Sequence, residues 1–335
     1  MTPKDVSTSL PLAVSVIIPV YNAAPYLERC LRSAVAAVTA VSDPSEIIVV
    51  ENGSTDASPS ILEKWRLRYP ALIRIIQCAK KGVAAARNCG VRVSSGKWLQ
   101  FLDADDELLT DKLSRQLAIS DGIAWIIGGY QDIRMNVPAE VNIPNSDLYK
   151  GLMFGCGIGH TNSNLLLRQT FLAVGGYDED LATAEDLDLY RKLLALNLRV
   201  QIDPHVRSYY YHHVTDGSLS SYDQGATLHR RIKVYETFLA WIQRERPDYW
   251  QREQPFFVRA LLSSIRILAT YDAMGASTWY LRFQGMIDQV LRGSPSGPLP
   301  AYTRLYPYLG FHRVEWLRLK LARLLPEAVK RRLKA

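Results

Sequence analysis

Three carboxylates close an apolar run: in "KWLQFLDADDEL" (97–108), Asp103, Asp105 and Asp106 follow Leu102 almost at once. Like charges this close disfavour full ionisation. Two chemistries could account for them. Asp caps the first turn of a helix, which fits Asp106 ahead of a helix expected from Glu107. Alternatively, a divalent cation takes oxygen ligands and neutralises clustered carboxylates. Asp103 and Asp105 stand two apart in what reads as an extended strand end. They are therefore expected on one side, where a cation could be shared between a carboxylate and a ligand's phosphates.

A second acidic group is "TAEDLDLYRKL" (183–193). On a helix, Glu185 and Asp186 point about 100° apart. Asp186 shares a face with Leu189, Tyr190 and Leu193, and Glu185 shares the solvent side with Asp188 and Lys192. A carboxylate aimed inward needs a partner or a task. Partial burial raises its pKa and suits Asp186 to act as a general base. Helix capping, the competing role, fits Thr183 or Glu185 better.

Other groups could meet a ligand. Glu51 ends "EIIVVE" (46–51), where its carboxylate can accept a base N–H; "NGSTD" (52–56) is a turn in which Ser54 or Asp56 could cap a helix. Arg87, in "GVAAARNCG" (82–90), offers a fixed fork of donors to a diphosphate, or makes a surface ion pair. "PVYN" (19–22) taken alone is an ordinary turn. His212 and His213 end "YYYHH" (209–213). Structural histidines outnumber ligands, but His213 could approach a cation or diphosphate.

The elements that must position these groups alternate in period. Strand-like runs at 14–19, 46–51, 72–77 and 97–102 are separated by helix-like segments at about 25–41, 57–69 and 83–94. This predicts an α/β fold with a mostly parallel sheet covered on both faces, whose ligands bind beyond the carboxyl ends of the strands. Residues 123–130 read as another strand, 136–147 as a loop, and 162–197 as a short strand, a turn and a helix. No G-x-x-x-x-G-K-[ST] and no G-x-G-x-x-G follows a strand, so neither a P-loop nor a dinucleotide fold is supported. Beyond about residue 222 the pattern is helical. The expected division is 1–222, carrying the chemistry, and 223–335, a helical region.

The chain has 335 residues and four scattered cysteines, Cys30, Cys78, Cys89 and Cys156, none in a C-x-x-C pair. Reduced packing thiols in a cytoplasmic protein are expected, and a zinc site is not. No apolar run reaches the roughly 18 residues of a membrane span. "LPLAVSVIIPV" (10–20) could mimic a signal-peptide core, but Asp5, Pro11, Pro19 and its β-branched centre favour a strand. Net charge is +7, and residues 299–335 alone carry nine Lys/Arg against Glu315 and Glu327. The main body is neutral, so nucleic acid is not an expected partner. Within that tail, Val314, Leu317, Leu321 and Leu324 recur at helical spacing beside Arg318, Lys320 and Arg323. Such a helix could lie on an anionic membrane surface, or pack on protein.

Five segments in order, "VSVIIPVYNAAPYLERCLRS" (14–33), "EIIVVENGSTD" (46–56), "GVAAARNCGV" (82–91), "GKWLQFLDADDEL" (96–108) and "VGGYDEDLATAEDLDLYRKL" (174–193), resemble the motifs of family 2 inverting glycosyltransferases. The resemblance covers about 12–222 and implies a GT-A nucleotide-sugar fold. It implies that Pro19, Tyr21 and Asn22 line the nucleotide pocket, that Glu51 meets the base, and that Arg87 lies near the nucleotide or diphosphate. It further implies Asp103 near the ribose, Asp105 on Mn²⁺ or Mg²⁺, and Asp186 as the base. Glu51-Asn52 stands where the family often has Asp-Asp, and Lys80 where Asn is usual. The Q-x-x-R-W motif of processive synthases is absent, which favours single-sugar transfer. The expected donor is a UDP-sugar and the expected acceptor a glycan or lipid-linked hydroxyl, in cell-surface polysaccharide or glycoconjugate synthesis. A sugar-phosphate nucleotidyltransferase would want a Gly-rich basic loop after the first strand, where "PVYNAAPYL" stands. A non-catalytic binding module would not need Asp103, Asp105 and Asp186 together.

Overall fold

The computed structural model describes residues 12–135, 137–154, 157–213, 223–293 and 300–324. Two compact units form, residues 1–215 and 216–335. The boundary expected near 222 lies outside the described residues, as does Cys156.

Unit 1 opens as expected. β1 (Val14–Val20), β2 (Glu46–Glu51), β3 (Ile73–Gln77) and β4 (Trp98–Phe101) alternate with α1 (Ala24–Thr39), α2 (Ser58–Arg68) and α3 (Val83–Val93). β1 is buried along its whole length, because helices cover both of its faces. The sheet order is β3-β2-β1-β4-β8-β6-β9-β5, with β7 beside β6. β1 pairs in parallel with both β2 and β4. The chain therefore leaves β1 towards β3 on one side and returns as β4 on the other, which opens a ligand crevice at the carboxyl ends of β1 and β4. α3 approaches the sheet closely at Gly90, where a Cβ would lie 2.5 Å from Ile17 and 3.1 Å from Val50.

The remaining strands are β5 (Glu107–Leu108), β6 (Trp125–Arg134), β7 (Glu140–Asn142), β8 (Leu165–Leu167) and β9 (Val200–His212). The helices are α4 (Lys112–Leu117), α5 (Leu148–Met153), α6 (Arg168–Ala173) and α7 (Glu185–Ala195). Two expectations fail here. No helix starts at Glu107; Glu107 and Leu108 pair with Tyr209 and Ser208 of β9, and the next helix begins at Lys112. The stretch read as a loop at 136–147 contains β7. β9, passed over in the sequence because of its polar first half and Pro204, pairs in parallel with β6 across a register shift at Gly128–Gly129 that accommodates the proline.

Beneath the crevice lies a buried polar layer. Lys112 is fully buried, and its Nζ donates to Gln100 Oε1 at 2.5 Å and Gln116 Oε1 at 2.7 Å. Gln100 Nε2 in turn donates to Asn162 O. Burial pushes the Lys112 ammonium down to about 7, against the pull of Asp203. The unfolded chain then binds more protons than the fold between about pH 7 and the ordinary lysine pKa near 10.4, so this group makes stability rise with pH there. The urea midpoint of the wild type should climb between pH 7 and 9, and Lys112→Met should flatten the climb. Two acceptors left unpaired should also cost the variant about 1–3 kcal/mol each.

Unit 2 holds α8 (Gln224–Glu245), α9 (Pro247–Leu268), α10 (Ala273–Gly293), α11 (Tyr306–Leu309) and α12 (Phe311–Leu324). Phe238, Phe257, Leu261 and Ile287 are buried at its centre. Among the described residues, no helix is long and apolar enough to cross a membrane.

Candidate active site

The loops after β1 and β2 are stapled together. Asn22 adopts a left-handed φ of 49°, which Asn tolerates better than most residues. Its amide donates to Ser54 Oγ, and its Oδ1 accepts Thr55 N at 2.7 Å. Ala23 N and Ala24 N donate to Ser58 Oγ and Asp56 Oδ2. Neither of the two caps expected for α2 forms: its N-cap is Ala57, Asp56 takes Ser58 N from one residue earlier, and Ser54 serves Asn22. Pro19 is buried within β1, and Tyr21 stands 58% exposed, with Lys81 Nζ 5.1 Å from its ring centre. Glu51 is buried, and its Oε1 accepts Ser54 N at 2.5 Å. Burial pushes its pKa up, but the N–H groups of Ser54 and Gly53 and the charge of Lys81 outweigh that and leave it below the usual range.

Arg87 is 3% exposed and bridges two acidic segments: Nη2 donates to Asp103 Oδ1 at 2.6 Å and Nη1 to Glu185 Oε1 at 2.9 Å. The fork read as a phosphate donor is here spent on carboxylates, over the ring of Tyr177. Burial disfavours the Arg87 charge, but Asp103, Tyr177 and Glu185 hold it firmly protonated.

The acidic rim is a turn closed by Asp106 N to Asp103 O, not the extended end assumed from the sequence. Arg29 holds it from α1, with Nη2 on Asp105 O at 2.6 Å and Nε on Glu107 at 3.0 Å. Asp106 caps nothing. It is fully buried, with Oδ1 accepting Tyr211 N and Oδ2 accepting Asn162 Nδ2, so it ties the rim to β9 and to the turn before β8. Burial, then Asp103 and Asp105, push its pKa well up. Asp105 faces outward. Burial and the Asp103 charge raise it to about 6. His213 Nε2 lies 3.6 Å from Asp105 Oδ2 and has no hydrogen-bond partner; its ring stacks on Tyr26 at 3.8 Å. Burial and Arg29 lower the His213 pKa, which keeps the ring neutral.

A deeper group, Asp103, Asp106 and His160, brings one donor atom each within 4.8 Å of one another. His160 Nδ1 is buried without a hydrogen-bond partner, 3.8 Å from Asp106 Oδ2, and its ring lies against Tyr210 at 4.0 Å. Both Asp106 oxygens already accept hydrogen bonds, from Tyr211 N and Asn162 Nδ2.

On α7 the sequence reading of the faces is reversed for one residue. Glu185 does not face solvent: it turns inward to Arg87, with 12% side-chain exposure. Burial, then its neighbour Asp186, push it up to about 7, against the pull of Arg87. Asp186 is half-buried, and its Oδ1 accepts Leu187 N at 2.7 Å. The N-cap of α7 is Ala184, held left-handed at φ 65° directly ahead of the acidic pair. A non-glycine residue there costs of the order of 1–2 kcal/mol, strain of the kind that collects at working sites.

Sequence reasoning missed Glu185, Arg29 and His160. The first two look like surface charges in their own helices. "GIGHTNS" (157–163) gave a hint only in its buried polar run, Thr161 to Asn164.

Residues 15–135 match the profile described as glycosyl transferase family 2. A Rickettsia felis protein named only as an uncharacterized glycosyltransferase is 31% identical over 208 residues, which cover 57% of this chain and 33% of that protein. The chain spans about a third of the length of the first curated relatives it matches. In shape, it is similar to Staphylococcus aureus TarS 1–349 in complex with UDP-GlcNAc, with a TM-score of 0.59, 17% identity and coverage of 89% and 92% of the two chains. It also resembles the Pyrobaculum calidifontis mannosyltransferase PcManGT in complex with GDP-Man and Mn²⁺, with a TM-score of 0.50, 19% identity and coverage of 90% and 84%. The fold is thus the GT-A type, with a helical C-terminal region.

Proposed function

We propose that the chain is a family 2 inverting glycosyltransferase that moves one sugar from a nucleotide-sugar, a UDP-sugar foremost, to a hydroxyl of a glycan or lipid-linked acceptor. What carries the reading is one shared network. Arg87 joins the rim at Asp103 to α7 at Glu185, so the turn bearing Asp105 and the helix bearing Asp186 are held in one arrangement. Asp186 is assigned as the base that takes the acceptor's proton while that oxygen attacks the anomeric carbon and the nucleoside diphosphate departs from the opposite face. Pro19, Tyr21, Asn22 and Glu51 are assigned to the nucleotide, Arg87 to holding the rim near the diphosphate, and Asp103 to the ribose side.

The donor set beside the crevice fits a divalent cation. A carboxylate pushed up by burial and the Asp103 charge and an imidazole whose Nε2 has no hydrogen-bond partner face each other at Asp105 and His213. Carboxylate with imidazole suits Mn²⁺ better than Mg²⁺. When bound, the cation would offset the charge gathered by the leaving diphosphate. The free cysteines Cys30, Cys78 and Cys89 suit the reducing cytoplasm, where synthesis of surface polysaccharide would start.

Nucleotide release from a panel of UDP- and GDP-sugars, with Mn²⁺ or with chelator, tests the proposal. Metal-dependent release, with a product of inverted anomeric configuration, supports it. Pyrophosphate formed from a nucleoside triphosphate would mean a nucleotidyltransferase, and binding without turnover a non-catalytic module. A pH profile adds a second expected outcome. Burial and Asp186 push Glu185 up to about 7, and only its charged form completes the bridge through Arg87 that holds α7 to the rim. kcat/KM should therefore rise from pH 6 to 8, and Glu185→Gln should flatten that limb.

A further inference from the structure

The last helix among the described residues of unit 2 wears its polarity inside out. The inward face of α12 carries Phe311, Val314 and Glu315, with Arg318 beside them. Phe311 stacks on Tyr280 at 4.7 Å. Glu315 is 2% exposed, bonded to the Tyr306 hydroxyl and to Arg318 Nε at 2.6 Å, with Arg266 Nε 3.6 Å away. The outward face, at the helical spacing 313, 316, 317, 320, 321, carries Arg313, Trp316, Leu317, Lys320 and Leu321. The stripe expected from the sequence is thereby split: Val314 turns in, Leu317 and Leu321 turn out, and the side chain of Leu324 lies outside the described residues.

Water is a poor neighbour for that outer face. Trp316 is 52% exposed, Leu317 47% and Leu321 58%, and α11 just before adds Tyr308 at 74% and Leu309. Lys320 Nζ sits 5.1 Å from the Trp316 ring centre. Glu315 is the one acid among residues 300–324 and is buried, so the exposed charges on the outward face of α12, Arg313 and Lys320, are both positive. We infer that this face of α11 and α12 docks on an anionic lipid surface, with Trp316, Leu317 and Leu321 in the interface and Arg313 and Lys320 on the headgroups. Charge decides the occupant. A second copy would bring the same cations against these, whereas anionic headgroups complement them; aromatic and leucine side chains beside lysine and arginine are the composition of helices that lie in a membrane interface. Each cation near such a surface contributes about 1 kcal/mol, a factor of about five in partition.

Lipid contact needs nothing from the transfer chemistry, so failure of one leaves the other standing. Full-length protein is sedimented with vesicles of phosphatidylcholine alone or with a third phosphatidylglycerol. Binding to the mixed vesicles, weakened by raised salt, is expected. Arg313→Glu with Lys320→Glu should reduce it by about 25-fold or more, and Trp316→Ser with Leu321→Ser should reduce it as well. All four side chains are solvent-facing, so the melting curves should stay unchanged. Equal binding to both vesicle types, absence of binding, or a lipid-free dimer that Leu317→Ser dissociates would each overturn the inference, the last by giving the face to a second copy.

Discussion

Asp186→Asn should lower kcat by about 10²–10⁴ and leave nucleotide affinity within a factor of two or three, the signature of a lost general base. Asn keeps the shape and the hydrogen bond from Leu187 N but cannot take a proton. Asp186 occupies the first turn of α7, whose start is set by the left-handed Ala184 and whose neighbour Glu185 is anchored to Arg87. The carboxylate is therefore aimed by backbone, with little freedom to be replaced by a neighbour. Glu185 cannot substitute for it, because its own oxygen is committed to the guanidinium. Steady-state release of nucleotide gives kcat, and calorimetric titration with UDP gives affinity. A loss below tenfold would remove Asp186 from the reaction.

Arg87→Met should cost about 3–5 kcal/mol of folding stability, a large part of the roughly 5–15 kcal/mol a domain has. The guanidinium is buried, and its removal leaves Asp103 and Glu185 facing each other's surroundings without a counter-charge. Lysine should restore little, since one ammonium cannot bond two carboxylates from the guanidinium's two ends. Arg87→Met combined with Glu185→Gln should recover part of the loss, because one uncompensated charge goes with the arginine. Urea unfolding of the three variants measures this. An unchanged midpoint in Arg87→Met would mean that the bridge is not formed in solution.

Much of unit 1 is legible in the sequence for one reason: β1, β2 and β4 are buried on both faces, so their residues form mostly apolar runs such as Val16–Val20. The places where candidate site residues gather follow from that, since each run ends in polar residues. What stays hidden is set by partners far along the chain. Asp106 reads as a cap because Tyr211, its true partner, stands 105 residues away. Glu185 reads as a surface residue because Arg87 is 98 residues away. Helical spacing alone cannot reveal either. The tail errs the other way: its apolar spacing is real, but the buried contacts of Glu315 turn the helix so that two of its leucines face out.

The central claim is that a cation beside Asp105 and His213 joins the protein to a nucleoside diphosphate. Calorimetric titration with UDP, in Mn²⁺ and in chelator, reads it directly in wild type, Asp105→Ala and His213→Ala. UDP should bind wild type at least tenfold more tightly with Mn²⁺, and both variants should lose that gain while melting as wild type does. Equal UDP affinity with and without the metal in wild type, or a full gain kept by Asp105→Ala, would contradict it.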